Sequence, residues 1–223
     1  MAKNVVISLS GGMDSSTLLL RCLSEYDNVT AISFDYGQKH RVELERAQQL
    51  VGYLKDNGNN VKFQVIKLDG LVNLLNSALV TGGDDVPEGH YEEDNMKSTV
   101  VPNRNMILLS MAIGYAVSLG TTQVFYGAHA GDHDIYPDCR PEFVDAMNVV
   151  SAIANYDDVQ IISPFLHATK QAILQAGVDM GLDYRQTWTC YLGQEKACGQ
   201  CGSCVERLDA FAKVGLTDPV PYV

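Results

Sequence analysis

The sequence has little positive charge, no basic run and no long apolar run. Its 223 residues include 16 lysines and arginines against 27 aspartates and glutamates, which gives a formal net charge of −11. Tight nucleic-acid binding depends on basic side chains that neutralise phosphates, so this balance argues against it. No apolar stretch approaches the length of a membrane span, and the first residues lack the form of a signal peptide. The expected location is the cytoplasm, where cysteines are thiols or metal ligands rather than disulfides.

Short apolar runs alternate with helical patterns along most of the chain. This alternation predicts an α/β fold, a doubly wound parallel sheet of five strands with helices on both faces. Because ligands bind at the carboxyl ends of the strands in such sheets, the loops that follow the strands should surround one site. The predicted strands lie near residues 4–9, 29–35, 61–68, 123–127 and 159–163. The predicted helices lie near residues 14–25, 39–56, 71–79, 103–119, 141–154, 169–180 and 203–213.

Residues 80–99 interrupt this alternation with a polar stretch that is rich in glycine and acidic residues. A long loop without structure of its own is usually functional or disordered. The functional interpretation of this loop is an active-site lid.

Residues 10–15 read Ser-Gly-Gly-Met-Asp-Ser and follow the first predicted strand. The glycines let the backbone approach an anion, and the amides at the start of the next helix can hold phosphate. Ser10 and Ser15 add hydroxyl donors. Asp14 can cap the helix and help to hold a magnesium ion. No lysine follows the glycines, so the loop is not of the Walker type.

This loop resembles the pyrophosphate-binding loop of the N-type ATP pyrophosphatases, which cleave ATP to AMP and pyrophosphate. The resemblance implies an adenine nucleotide alpha hydrolase-like fold with ATP bound along the first strand, the loop, the first helix and the end of the second strand. The implied ATP-binding residues are Ser8, Leu9, Ser10, Gly11, Gly12, Met13, Asp14, Ser15, Ser16, Thr17, Leu18 and Phe34. The segment Phe-Asp-Tyr-Gly-Gln-Lys-His at 34–40 follows the second strand and should lie near the nucleotide, although a plain turn also explains it.

Two basic residues stand at predicted helix starts, where the helix dipole disfavours positive charge. Arg104 follows Pro102 and Asn103, and Asn103 is the expected cap of the helix. Lys170 opens the helix after the fifth strand. A bound anion removes the conflict, so we expect Arg104 to meet a phosphate or a carboxylate and Lys170 to reach the ATP phosphates.

Residues 127–143 follow the fourth strand and contain two histidines, several acidic residues and two aromatic residues. Their spacing matches no metal signature, so recognition is the favoured interpretation over a second metal site. Carboxylates among Asp132, Asp134 and Asp138 can accept hydrogen bonds from a guanine-like edge, and Arg140 can offset their charge. Tyr136 and Phe143 can stack on the ring.

Four cysteines near the end of the chain have the spacing C-x7-C-x2-C-x2-C, with glycines between the last three. Four thiolates suit tetrahedral zinc, and a site with four protein ligands has no open position, so a structural role is expected. An iron–sulfur cluster is the alternative. The ligands are Cys190, Cys198, Cys201 and Cys204. This motif divides the chain into an ATP pyrophosphatase domain, 1–185, and a small zinc-binding appendage with a final helix, 186–223.

Taken in order, these motifs resemble the 7-cyano-7-deazaguanine synthase family from end to end. The match uses SGGMDS, FDYGQKH, VPNRN, YPDCRPEF, the lysine after Pro-Phe and the run TWTCY…CGQCGSC. Members of that family commonly have glycine where this chain has Asn103. The stretch AGDHDIYPDC also departs from the usual EADFSGYPDC form, which touches the substrate loop.

The resemblance implies that ATP activates the carboxylate of 7-carboxy-7-deazaguanine as an acyl adenylate. Ammonia then gives the amide, and a second ATP converts the amide to the nitrile with release of AMP and pyrophosphate. It implies ATP, Mg²⁺ and structural Zn²⁺, a homodimer, and no direct nucleic-acid or membrane partner. The implied catalytic residues are Ser10, Asp14, Arg104 and Lys170. The implied substrate-binding residues are Asp132, Tyr136, Asp138, Arg140 and Glu142.

The sequence leaves three alternative functions open. A variant enzyme stops at the amide, a tRNA thiolase pairs the same loop with a reactive thiol, and a non-catalytic module only binds a nucleotide. The charge of −11 argues against the thiolase, which needs a basic tRNA surface. AMP release separates the enzymes from the module.

Overall fold

The computed structural model describes residues 2–90 and 94–223, and its centre is a five-stranded, all-parallel sheet. The strands are β1 (Asn4–Ser8), β2 (Asn28–Asp35), β3 (Val61–Lys67), β4 (Gln123–Phe125) and β5 (Gln160–Ile162). Their order across the sheet is β3-β2-β1-β4-β5. This order confirms the predicted fold class. It places the point where the strand order reverses between β1 and β4, and ligands of such sheets bind at that crevice.

Six α-helices connect and cover the strands in the described part of the chain. They are α1 (Met13–Glu25), α2 (Val42–Asp56), α3 (Arg104–Leu119), α4 (Pro141–Ala154), α5 (Lys170–Asp179) and α6 (Gly202–Val214). None of the helices described is long and apolar enough to cross a membrane.

The helix predicted over 71–79 is wrong beyond its first turn. Only Leu71–Leu74 is helical, as a short 3₁₀ turn. The following residues leave the helix because their backbone pairs elsewhere: Ala78 N bonds to Ser98 O, and Val80 bridges to Gln38. The helix predicted from residue 39 begins later, at Val42.

The two faces of the sheet carry separate hydrophobic cores, as strand alternation requires. Val5 and Ile7 of β1 pack with α1, α2, α5 and α6, whereas Val6 packs on the opposite face with α3 and α4. Helices on both faces hold the carboxyl ends of β1 and β4 at a fixed distance from each other.

The polar loop 80–99 is less open than its composition suggests. Val80 and Met96 are buried, and Asp94–Thr99 forms a 3₁₀ turn. Gly89 N donates to Gln200 O, and Glu88 bridges to Cys201, so the loop is attached to the cysteine segment. The expected lid also includes residues 91–93, which lie outside the described residues.

The C-terminal segment packs directly on the sheet domain. Trp188 N donates to Gly11 O at 2.9 Å. The Arg207 guanidinium is almost fully buried and donates to Asp218, to Thr187 and to the backbone oxygen of Tyr184. These hydrogen bonds fix the rotation of α6 about its axis. They thereby also set the direction of Glu206, the residue next to Arg207, toward the edge of the sheet.

Candidate active site

The loop at residues 10–15 forms the floor of a cavity of about 1100 Å³ that includes its open mouth. Gly11 has a φ of +88°, and a Cβ there would collide with the backbone oxygen of Glu43, so only glycine fits. The Ser10 and Ser15 hydroxyls lie 2.9 Å apart, and Ser10 Oγ accepts from Gly12 N at 3.2 Å. The start of α1 therefore opens onto the cavity, and a helix start of this kind can hold an anion.

The expected cap by Asp14 is wrong. Gly12 is the N-cap residue of α1, and no side chain caps it. The Asp14 carboxylate instead accepts from Lys170 Nζ at 2.7 Å, across the crevice between β1 and β4. The first acidic residue of α1 and the first residue of α5 thus meet at the loop.

Lys170 is the centre of a buried charged cluster. Its Nζ lies 2.7 Å from Asp14 Oδ2, 3.1 Å from Glu206 Oε2 and 3.1 Å from His129 Nε2. The side chain of Lys170 is only 8% exposed. Glu206 belongs to α6, so the cysteine segment contributes a charge to the sheet-domain site.

Electrostatics keep the central pair of this cluster charged. Burial favours the neutral form of Lys170, but Asp14 and Glu206 outweigh it and raise its pKa. Burial likewise opposes ionisation of Asp14, yet the charge of Lys170 and the hydrogen bond from its Nζ lower the pKa of Asp14 overall. Burial and the Lys170 charge lower the pKa of His129, which keeps this imidazole neutral.

Asp132 lies beside this cluster and is held by the backbone. His129 N donates to Asp132 Oδ2 at 3.2 Å, while His129 Nδ1 accepts from Gly131 N, which makes a reciprocal capping box around one 3₁₀ turn. Burial and the Asp14 charge raise the pKa of Asp132 to about 6, with Lys170 and Arg104 acting in the opposite direction.

The opposite wall of the cavity is made by the start of α2, the start of α3 and the cysteine segment. His40 Nε2 lies 3.5 Å from Glu43 Oε1, and the His40 ring packs on Tyr191 at 5.7 Å between centroids. Burial lowers the pKa of His40 to about 3 and raises that of Glu43 to about 8. Arg104 is held by Tyr36, whose hydroxyl it contacts, and by the charge of Asp138.

The four cysteine sulfurs of the C-terminal segment lie within 4.8 Å of one another. Cys198 N donates to Cys190 Sγ at 3.4 Å, and Cys201 N donates to Cys198 Sγ at 3.3 Å. Backbone donors of this kind stabilise thiolates and orient them toward a shared centre. The donor set fits one tetrahedral metal ion.

Most predicted site residues meet at this cavity. Its lining includes Ser8, Leu9, Ser10, Gly12, Met13, Asp14, Ser15, Phe34, Arg104, Asp132, Tyr136 and Lys170. The remaining ones lie behind the lining: Gly11, Ser16, Thr17, Leu18, Asp138, Arg140 and Glu142. Ser16, Thr17 and Leu18 are buried in α1.

Two predicted substrate residues have other contacts in this structure, and a third is exposed. Asp138 accepts from Asn105 N at 2.9 Å at the start of α3, and Arg140 donates to His133 O at 2.7 Å. Glu142 is exposed in the first turn of α4. Their predicted contact with the substrate has no geometric support at the cavity surface.

Sequence reasoning missed several side chains that the fold brings to the site. Trp188 and Tyr191 stand within the quoted run TWTCY, so their motif was visible although no role was assigned. Glu43 and Glu206 carried no signal, because an acidic residue in a helix is ordinarily a solvated one. Their roles depend on tertiary contacts alone.

Comparisons with known proteins agree with this geometry. Residues 4–215 match the family described as queuosine biosynthesis protein QueC. The chain is 56% identical to the 7-cyano-7-deazaguanine synthase of Marinomonas sp. (strain MWYL1) over 222 residues, covering 100% of this chain and 99% of that protein. It is 57% identical to the synthase of the same name from Pseudoalteromonas translucida (strain TAC 125), with full coverage of both.

Solved structures share the fold at low identity. NMN synthetase from Francisella tularensis superimposes with a TM-score of 0.55 at 14% identity, over 89% of this chain and 71% of that one. A 4-thiouridine synthetase in complex with RNA and ATP gives 0.53 at 15% identity, over 80% of this chain and 41% of that one. The chain therefore shares its fold with these two synthetases, and the family match and full-length relatives place it in the QueC family of queuosine biosynthesis proteins.

Proposed function

We propose that this protein converts 7-carboxy-7-deazaguanine, ammonia and ATP into 7-cyano-7-deazaguanine, AMP and pyrophosphate. The observation that carries the proposal is the Asp14–Lys170 pair, which meets the phosphate loop at the strand-order reversal. Relatives that share 56–57% of the sequence across its full length are named for this reaction. The cavity brings together an anion site, fixed charges and aromatic walls, which are the parts that adenylation of a ring carboxylate needs.

The loop end of the cavity holds the triphosphate. Amides at the start of α1 and the Ser10 and Ser15 hydroxyls face it, and Lys170 supplies a permanent positive charge. Adenylation transfers the α-phosphate to the substrate carboxylate, and these groups stabilise the charge on the departing pyrophosphate. Release of AMP rather than ADP is the chemical signature of this step.

Asp14 is the residue that fits a magnesium ion at this end. Its Oδ1 is buried and has no hydrogen-bond partner within the described ranges, whereas its Oδ2 takes Lys170. A carboxylate oxygen next to phosphate oxygens is a ligand that Mg²⁺ prefers. Held by Asp14, the ion would lower the negative charge of the phosphates that the substrate carboxylate must approach.

The substrate lies between the loop and the aromatic side chains. Tyr136 lines the cavity, and its hydroxyl bonds to Thr99 and Tyr191, which fixes the ring as a wall. Asp132 lines the cavity beside Lys170 and is assigned to the substrate as well. Asp138 and Arg140 hold the start of α3 and the preceding loop, so they support these contacts from behind.

The four-cysteine cluster is assigned to one structural zinc ion per chain. The Cys₄ donor set leaves no position for a substrate, so the metal holds the segment that carries α6. Metal analysis should give about one zinc per chain by that stoichiometry, and iron in its place would contradict the assignment. Cys22 is a buried thiol outside the cluster. The control variant Cys22→Ala should therefore have the same zinc content as the wild type.

We further propose that the enzyme acts in the cytoplasm as a homodimer on small molecules, with ammonia from solution. A product that remains the amide is the second candidate, since the substrate loop departs from the usual form of the family.

The mass of the product tests the proposal directly. The purified protein is incubated with 7-carboxy-7-deazaguanine, ammonium and Mg·ATP, and the product and nucleotides are analysed. The expected result is the nitrile with two AMP per product, because each oxygen of the carboxylate leaves on one AMP. An amide with one AMP supports the second candidate, and ADP as the nucleotide product would contradict adenylation altogether.

A further inference from the structure

The proposed reaction requires a base at the incoming nitrogen. When ammonia attacks the acyl adenylate, a C–N bond forms, the C–O bond to AMP breaks and one N–H proton leaves. When the amide oxygen has taken a second AMP, the C–O bond breaks and the two remaining N–H protons leave as the nitrile forms. The carbon keeps its oxidation level, and three protons must go to an acceptor at the same place.

Three carboxylates line the cavity within the described parts of the chain, and they have different surroundings. Asp14 is paired with Lys170 at 2.7 Å, so it is engaged at the phosphates. Glu43 is across the cavity beside His40, at the start of α2. Asp132 follows β4 and lies on the same side as the phosphate loop, because the end of β4 packs on the start of α1: a Cβ on Gly127 would lie 3.3 Å from Ser15 N.

We propose that Asp132 is the general base that takes the protons from nitrogen in both halves of the reaction. Its position is fixed by the capping box with His129, and among the described residues no lysine or arginine forms an ion pair with it, so its carboxylate keeps one orientation. His129 Nε2 lies 3.5 Å from Asp132 Oδ1. This assignment rests on the proposed function and replaces the expectation that Asp132 reads the guanine-like edge.

The electrostatic surroundings suit this task. The charged groups that face Asp132 are Asp14 on α1, Lys170 on α5 and Arg104 on α3, together with the neutral His129. Burial raises the pKa of Asp132 to about 6, which leaves it ionised near pH 7 and more basic than a solvated carboxylate. A general base works best when its pKa lies close to the working pH.

The two roles of Asp132 predict different behaviour of Asp132→Asn. The asparagine keeps the shape and still accepts from His129 N, so the loop should stay folded. A lost base leaves adenylation intact and slows nitrogen transfer, by about 10²-fold or more for a positioned base. A lost anchor weakens binding of the acid, and adenylation falls with it.

Rapid-quench measurements of one turnover separate these steps. Wild type, Asp132→Asn and Asp132→Glu are mixed with Mg·ATP and 7-carboxy-7-deazaguanine, and pyrophosphate, amide and nitrile are followed after ammonium is added. We expect Asp132→Asn to release pyrophosphate within about threefold of the wild-type rate and to lose about 10²-fold in amide formation, with partial recovery in Asp132→Glu. The amide supplied with ATP should also give pyrophosphate but little nitrile.

Asp145→Asn is the matched control, because Asp145 is exposed on α4 and does not line the site cavity. It should leave all rates unchanged. Loss of pyrophosphate release in Asp132→Asn, or unchanged nitrogen transfer, overturns the base assignment. Failure of the wild type to release pyrophosphate from the acid overturns the proposed function itself, so the two failures are distinguishable.

Discussion

The two ends of the cavity treat ionisable side chains in opposite ways. At the phosphate loop, Asp14 and Lys170 are both buried and both charged, since each holds the pKa of the other in the charged range. At the opposite wall, burial prevails and makes His40 and Glu43 neutral near pH 7. The comparison teaches that burial alone does not decide charge: the 2.7 Å contact between Asp14 and Lys170 outweighs desolvation, whereas the 3.5 Å contact between His40 and Glu43 does not.

The difference matches what each end has to hold. A triphosphate needs fixed cations and amides, and an empty site of this kind stays stable only if its own carboxylates balance the cations. A planar, uncharged heterocycle needs aromatic surface and neutral donors and acceptors instead. Tyr191 packed on His40 provides such a surface next to Glu43.

The strongest test of the difference between the two ends is to remove the positive charge of Lys170 at the loop. Lys170→Ala should lower the rate of AMP release about 10²-fold or more, because it loses charge stabilisation in the transition state and leaves Asp14 and Glu206 unpaired. Steady-state AMP production with 7-carboxy-7-deazaguanine is the measurement. Lys213→Ala on α6 is the control, since Lys213 is an exposed lysine away from the phosphate loop. Equal activity of the two variants would show that Lys170 does not act on phosphate.

A second test concerns the opposite wall of the cavity, which contains His40 and Glu43. The pKa of Glu43 is about 8 in the folded protein against 4.5 in the unfolded chain, so the folded state holds the proton more tightly. This contribution to stability is present below pH 4.5 and is lost as the pH rises through 8. The variant Glu43→Gln keeps this contribution to stability at every pH, because glutamine does not ionise. The Tm of Glu43→Gln minus that of the wild type should therefore increase between pH 5 and pH 9, by roughly 8–16 °C for a chain of this size.

His40 titrates in the opposite sense, but it is present in both proteins and cancels in the difference. A Tm difference that is constant with pH would mean that Glu43 is ionised in the folded protein. The two ends of the cavity would then be alike.

The smallest effect is expected at Asn103, the residue before Arg104. It sets where α3 begins in the cavity wall that contains His40 and Glu43. Asn103 has a φ of +59°, in the left-handed region that favours glycine and asparagine. Asn103→Ala should cost about 1 kcal/mol and lower the Tm by about 2–4 °C, while Asn103→Gly should be close to neutral. Thermal unfolding of both variants is the measurement, and equal losses in the two would point to the side chain rather than the backbone.

The sequence was a good guide to elements whose signal is local. Apolar runs predicted all five strands within a few residues, and the Ser-Gly-Gly-Met-Asp-Ser turn predicted a loop from β1 into a helix, because its glycines and helix start are contiguous. The expectation that Asn103 ends the approach to α3 was right in position, although it acts through its backbone and makes no side-chain cap.

The rest of the site depends on contacts that no local pattern encodes. Asp14 was expected to cap α1, but the fold places Lys170 within 2.7 Å of it from a distance of 156 residues in the chain. The acidic residues of 132–142 looked alike in the sequence, yet only Asp132 lines the cavity. Glu206 is one helical position from the buried Arg207, and its orientation follows from the hydrogen bonds of that neighbour.

Helix α6 bears a cysteine of the cluster, Cys204, two residues before Glu206, the partner of Lys170. The same turn of α6 therefore contributes one side chain to the metal site and one to the nucleotide site. A chain that has not acquired its ion keeps the Arg207 anchor of that turn but loses the second one, and Glu206 is then held less firmly beside Lys170. On the zinc assignment, metallation would therefore be a maturation step that completes the position of this counter-charge.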